Sequence, residues 1–226
     1  MKLAVTALAT AAVALVTPAL ASAATLTVDP AKPCYREGET VNLLGAGFTP
    51  LATVQISRNG SPLSPSLPTD ASGAFLGELQ LGGLSRERTL TYQATDTTNP
   101  ALIAPVELRA SALDVSVRPT SGNPGRRLTI RARGFTTGKR LWAHVRRVGG
   151  RRTRNIKLGR LKGDCRKSKS KRRLFRRGTA SGAYRVQFDT FRRFRSRREV
   201  KIVFSVNITR TFGAAAARAS GWTRVD

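Results

Sequence analysis

The chain has 226 residues, 40 Lys+Arg against 13 Asp+Glu, and a formal net charge of +27. Its single His and two distant Cys exclude a metal-ligand cluster, and beyond the first residues no stretch is long and apolar enough to cross a membrane. The charge is uneven: Met1–Ala112 carries 7 basic residues against 8 acidic, and Leu113–Asp226 carries 33 against 5. This balance describes two modules with different surfaces, the second strongly basic.

Lys2, the apolar run Leu3–Val16, Pro18 and Ala21-Ser22-Ala23 form the pattern of a secretory signal cleaved after Ala23. The run is short for a membrane anchor of about 20 residues, no Cys follows for lipidation, and the C-terminal SGWTRVD is polar. A secreted or envelope-associated protein is expected. Short runs with strand character follow: Thr25–Asp29, Thr40–Leu44, Ala52–Ser57, Leu90–Ala94, Leu128–Arg133, Leu141–Val145 and Val200–Val206. Several alternate apolar and polar residues between Gly, Pro, Asn and Ser clusters, and no amphipathic helix follows the signal. The expected fold is all-β.

The halves match in three places. GETVNLLGAGF at 38–48 aligns with GRRLTIRARGF at 125–135, an offset of 87; ASGAF at 71–75 with ASGAY at 180–184, an offset of 109; and Ser85-Arg86 with Ser196-Arg197, an offset of 111. A repeat of about 90 to 110 residues with six or seven short strands fits a β-sandwich. In its GxGF and ASGA[FY] segments the chain resembles immunoglobulin-like domains of exported bacterial proteins. The resemblance implies two such domains in tandem, 24–110 and 113–226, joined by Ala110–Leu113, and a role in adhesion or spacing at the cell surface. The first unit also faintly resembles the antitumour chromoprotein apoproteins, but lacks their paired intradomain cysteines. Gly47 and Gly134 are expected to allow a bulge or positive φ before the core residues Phe48 and Phe135.

The jump in offset places about 22 extra residues in the second unit, read as a hairpin and basic loop at about 146–178. Val148-Gly149-Gly150 would turn the hairpin, Asn155–Leu161 would be the added strand, and Gly163–Arg177 the loop. Two clusters are candidate contacts for a polyanion: Arg166, Lys167, Lys169, Lys171, Arg172 and Arg173 near the joint, then Arg192, Arg193, Arg195, Arg197 and Arg198 at the far end. The second cluster would occupy the corner held by Gly82–Arg88 in the first unit. Its Phe191 and Phe194 would either stack on bases beside Arg or plug the bottom of the sandwich. Five acids cannot neutralise 33 basic residues, so most of this charge faces water or a counter-charge. The partners this suggests are anionic cell-wall polymer, polysaccharide, lipid headgroups or, nonspecifically, nucleic acid; Arg-rich base composition is the alternative source of the charge.

An exported chain with two Cys suggests a disulfide. Cys34 between the first strands and Cys165 after the returning hairpin strand would both lie at the joint. Trp142 and His144 share the outward phase of their strand, as a ligand-binding pair or a partly covered surface pair. No nucleophile motif accompanies His144, and Asp70, Glu78, Glu87, Asp96 and Glu107 are scattered rather than paired. Asp70 reads as a turn former, and Asn207-Ile208-Thr209 as a chance sequon in a strand. The expected protein is a non-catalytic monomer without cofactor or metal. A small-ligand carrier with an apolar cleft and a nucleic-acid binder are the alternatives.

Overall fold

The computed structural model describes residues 23–209 and 218–225; of the expected signal segment, 1–23, all but Ala23 lies outside them. Nine strands form the first half: β1 (Thr25–Asp29), β2 (Tyr35–Arg36), β3 (Thr40–Ala46), β4 (Thr53–Arg58), β5 (Ser61–Pro62), β6 (Leu67–Pro68), β7 (Phe75–Gln80), β8 (Arg88–Asp96) and β9 (Ile103–Ser111). Eight form the second: β10 (Asp114–Arg118), β11 (Leu128–Arg133), β12 (Arg140–Arg147), β13 (Thr153–Arg160), β14 (Ser168–Arg172), β15 (Gly182–Asp189), β16 (Ile202–Thr209) and β17 (Arg218–Arg224). The described residues contain no helix.

Each half pairs a small sheet with a large one. The first has β1-β3-β7 against β2-β9-β8-β4-β5, with β6 also on β4; the second has β10-β11-β14 against β13-β12-β15-β16-β17. All pairs are antiparallel except β2–β9, where Tyr35 and Arg36 run parallel to Ala110 and Ser111. The alternation read from sequence is the cause of the layers. In β11, Leu128, Ile130 and Ala132 face the core while Arg131 is exposed and Arg133 half-buried. Two separate hydrophobic clusters result, one around Val41, Leu43, Val54, Tyr92 and Leu108, the other around Ile130, Phe135, Leu141, Val186 and Phe188. The architecture is two immunoglobulin-like β-sandwiches in tandem. Tyr184 adds a mark of that fold: its hydroxyl donates to Ala180 O at 2.8 Å, near the start of the strand that pairs with both β12 and β16.

The registers correct the internal alignment after Phe135. Leu44 opposes Leu76, and Arg131 opposes Lys169. The first members are 87 apart and the second 93, so only six residues are added between them. Ser168–Arg172, expected within a loop, is the third strand of the small sheet, and β13 is a longer version of the short pairing that β5 and β6 make with β4. ASGAF leads into β7 of a small sheet, ASGAY into β15 of a large one. The shared tetrapeptide marks the entry to a strand, and Ser-Gly turn chemistry does not identify which strand follows. Ile56 opposes Ala94, which opposes Ala104; Ala143 opposes Phe188, which opposes Ile202. The loop after β15 is therefore equivalent to the one after β8, not to Gly82–Arg88, and is four residues longer.

The chain crosses between sandwiches through Ala112 and Leu113 alone. Gly134, at φ +74, fits beside them: a Cβ there would lie 2.3 Å from Ala112 O, and its N–H donates to Cys165 O at 3.1 Å. Gly47 takes the matching φ of +79 before Phe48. Cys34 and Cys165 form a disulfide across the joint. Closing a segment 131 residues long contributes about 4–5 kcal/mol in the chain-entropy model. Ion pairs Arg36–Glu199 (3.2 Å), Arg109–Asp164 (2.6 Å) and Glu87–Lys167 (2.6 Å) also cross it. Each includes a well-exposed partner, so each contributes roughly 0–1 kcal/mol and the covalent link dominates.

Candidate functional site

The four described acids of the second half are all committed. Asp114 accepts from Arg133 at 3.0 Å, and Asp189 from His144 at 3.1 Å. Asp164 and Glu199 are spent on Arg109 and Arg36 of the first sandwich. None is left for the basic side chains that the strands aim outward.

Those side chains form rows on the outer face of the small sheet. Ser116, Arg131 and Lys169 lie directly across β10, β11 and β14; Arg118, Thr129 and Lys171 form the next row. Arg118, Arg131, Lys169 and Lys171 are exposed and carry no ion pair among the described residues. Directly opposed like charges such as Arg131 and Lys169 repel across a ladder. The face runs into a groove of about 950 Å³ at the joint, lined by Arg86, Arg133, Lys162, Lys167 and Lys169, with Glu87 and Asp114 there paired to Lys167 and Arg133. Arg133 Nε is buried there without a partner. The result is a flat basic track, and its geometry can hold a chain of anionic groups.

The expected contact residues do not converge on one surface. Arg166 and Lys167 lie at the joint, with Lys167 already paired to Glu87. Lys169 and Lys171 belong to the sheet face, and Arg172 and Arg173 are exposed where β14 ends. The second cluster is displaced from its expected end. β15 ends and β16 begins on the side where Gly138 touches Thr190 and Glu199 meets Arg36, so Arg192–Arg198 lie at the joint end. Arg192 borders a hollow with Trp142, Arg198 covers the Phe191 ring at 3.7 Å, and Arg193, Arg195 and Arg197 are exposed.

Neither Phe191 nor Phe194 plugs the bottom. Leu174 and Phe175 do, with the Phe175 ring 5.4 Å from Tyr184 and 6.3 Å from Trp222. Phe194 folds back over the large sheet and covers His144, with ring centres 5.8 Å apart. His144 is therefore only 1% exposed rather than part of a surface pair. Its Nδ1 faces Asn155 Oδ1 at 2.7 Å and its Nε2 faces Asp189 Oδ1 at 3.1 Å. Both partners are acceptors, so the protonated ring satisfies both contacts. Burial pushes its pKa down, but the hydrogen bonds to Asp189 and Asn155 and the Asp189 charge outweigh burial and raise it above the usual value. Asp189 also accepts from Gln187 Nε2 and the Phe191 amide. With both nitrogens engaged, the ring has none free to activate a nucleophile.

Sequence reasoning missed Asp189 as the His144 partner, and it missed Arg118 and Arg131 on the sheet face. The second omission was avoidable: Arg131 occupies the outward phase of a strand whose inward phase was identified. Asp70 is the turn former expected, accepting from the Ser72 and Ala74 amides. Asn207 lies in β16. Among the described residues, no group of three or more His, Cys, Asp or Glu could hold a metal ion, and no helix is long and apolar enough to cross a membrane.

The fold and this surface define an immunoglobulin-like tandem β-sandwich protein with one basic unit. No known protein family matches the chain, and no curated protein does. Matching solved structures include the human OSCAR ligand-binding domain, 14% identical over 90% of this chain and 95% of that one, with a TM-score of 0.30. A teleost fish polymeric Ig receptor ectodomain is 15% identical over 72% and 91%, with a TM-score of 0.30. A tetra-tandem repeat from the extending region of a large adhesion protein is 14% identical over 90% and 49%, with a TM-score of 0.28. At these scores the likenesses carry no argument.

Proposed function

We propose that this protein is an exported, non-catalytic binding or spacing protein whose basic domain, 113–226, associates with anionic cell-envelope or extracellular polymers, while the near-neutral domain, 24–110, spaces or docks it. It acts as a monomer, without cofactor or metal. The resemblance of the GxGF and ASGA[FY] segments to immunoglobulin-like domains of exported bacterial proteins, a type with many functions and most often adhesion or spacing, is compatible with this reading, and the signal-like N-terminus and the disulfide agree with export.

The observation that carries this reading is the exhaustion of acids. Every described acid of the basic domain already has a cationic partner, Asp114 with Arg133 in the neighbouring row, while Arg118, Arg131, Lys169 and Lys171 stand in register on one open face without one among the described residues. A regular row of cations suits a repeating anion better than a single small ligand. Base stacking is disfavoured at Phe191, whose ring is already covered by Arg198.

Retention on a polyphosphate column, eluted by a salt gradient, tests the reading. Elution should move to lower salt when Arg131, Lys169 and Lys171 are replaced by Gln, because fewer counterions are exchanged. Retention independent of salt would sink the proposal. So would unchanged elution of the triple variant. In the native cells, a salt wash should release the protein from the envelope fraction.

A further inference from the structure

A second basic recess lies on the outer face of the large sheet of the second sandwich. It is a cleft of about 390 Å³ between the β12–β13 turn, the first residues of β16 and the loop 190–201. Arg146, Arg147, Arg185 and Lys201 line it, Arg147 turned to donate to Ser181 O, with the His144 ring at its floor; Phe194, Val148 and Val203 give it apolar walls. No acid among the described residues lines it.

Arg146 and Arg185 are directly opposed in the β12–β15 register. Two like charges at that spacing repel, and a sheet normally avoids the pair. Nothing described relieves it. The nearby carboxylate, Asp189, is buried behind His144 and spends its oxygens on His144, Gln187 and the Phe191 amide. Arg146 is held in place: its Nε donates to Gly150 O at 2.6 Å, and its guanidinium sits 5.9 Å from the Phe194 ring centre. Lys201 is anchored to Ser196 O. Arg185 is exposed and has no partner among the described residues. One guanidinium is thus fixed with its terminal groups available, its neighbour is free to close, and an ammonium stands beside them.

We propose that this cleft binds a single anionic group, a phosphate or carboxylate, carried on a saccharide-sized molecule. Arg146 and Arg185 clamp the anion, for which the planar guanidinium fork is suited. Lys201 adds a third positive contact, and Phe194 and Val203 take the apolar face of the carrier. A concave site with an apolar wall and few converging polar groups matches small-ligand pockets in general. The cleft shares no residue with the polymer track on the small sheet, so either can fail alone.

Titration of the full chain with glucose 6-phosphate, glucuronate and uncharged glucose tests the cleft. The phosphate or the carboxylate sugar should saturate one site, and glucose should not. The two charged arms identify which anion it takes. Arg185→Gln should weaken that binding about tenfold, the loss expected for one charge-assisted hydrogen bond. The same change should raise the melting temperature without ligand, because it relieves Arg146. Lys169→Gln with Lys171→Gln should leave the titration unchanged and alter only polymer retention. Absence of saturation by both charged sugars overturns the proposal, as does Arg185→Gln that keeps full affinity. A lowered melting temperature in Arg185→Gln removes its basis, since the pair would then not be repulsive.

Discussion

Equivalent rows on the two small sheets hold opposite chemistry. In the first sandwich, Thr27, Leu44 and Leu76 lie side by side across β1, β3 and β7; in the second, the same places hold Ser116, Arg131 and Lys169. Leu44 and Leu76 are 41% and 66% exposed. The inward neighbours keep their apolar character, with Leu43 matched by Ile130. A sheet buried on one face fixes one phase of each strand and leaves the other free. The outer phase is where one scaffold became neutral and the other basic, at little cost to the fold. Buried carboxylates at equivalent strand ends differ in the same way. Asp96 accepts from the amides of Thr49, Thr98 and Asn99, whereas Asp189 depends on a titratable ring, His144.

The strongest way to break the comparison is to cut the link that holds both sandwiches in one frame. Replacing Cys34 and Cys165 by Ser should cost about 4–5 kcal/mol in guanidinium unfolding. It should also separate one transition into two, since only Ala112, Leu113 and weak exposed ion pairs then couple the cores. A single transition of unchanged midpoint would show that the joint is held by contacts other than the disulfide.

The charged face comes next. Converting Arg131, Lys169 and Lys171 to Ala should weaken binding to an anionic polymer by about 3 kcal/mol, roughly a hundredfold, at about 1 kcal/mol per cation near an anionic surface. Circular dichroism and melting temperature should stay close to the unaltered protein, because these side chains point outward. Equal loss from replacing Arg192, Arg193 and Arg195 would move the contact to the loop.

How much of this was legible depended on whether a signal was periodic or positional. Strand alternation is a local period, so Leu128–Arg133 was placed to the residue and the core face of Leu141 and Ala143 was recovered. The cysteine link was legible because a returning hairpin strand must end where it began. Strand identity after the hairpin was not. Ser168–Arg172 reads as a basic loop because its inward phase is Ser168, Ser170 and Arg172, with no apolar residue to announce a strand. Its pairing with β11 comes from the backbone ladder. Likewise, nothing local says that Phe194 folds back over His144; that burial is a tertiary event. The one available cue was Tyr184 four residues after Ala180, the spacing of a tyrosine corner, which would have assigned β15 correctly.

Asp96 and His144 predict opposite pH limbs. Burial alone would raise the Asp96 carboxyl, but the amides of Asn99, Thr49 and Thr98 outweigh it and hold its pKa at about 2. Its contribution is present above the unfolded value of about 3.9 and is lost as pH falls toward 2. His144 runs the other way. Its folded pKa is raised, so its contribution is complete below about 6.5 and is lost as pH rises through the folded value. Melting curves across pH should show an acid limb that Asp96→Asn flattens and an alkaline limb that His144→Gln flattens. The alkaline limb is bounded by one charge-assisted hydrogen bond, about 1.5–3 kcal/mol. An alkaline limb that persists unchanged in His144→Gln would detach the ring from stability.

The smallest expected effect is also the sharpest test of whether the outer rows are interchangeable. Leu44→Arg with Leu76→Lys writes the basic row onto the first sandwich. Both positions face water, so stability should change by less than about 0.5 kcal/mol, with a small loss from opposing two cations across β3 and β7. Retention on polyphosphate should rise, but by less than the loss seen on erasing the native row. The first sandwich keeps Glu78 exposed on the same strand as Leu76, which offsets part of the added charge. If the transplanted row instead restored full retention to a chain lacking Arg131, Lys169 and Lys171, net charge alone would account for binding, and the register of the native row would have no part in it.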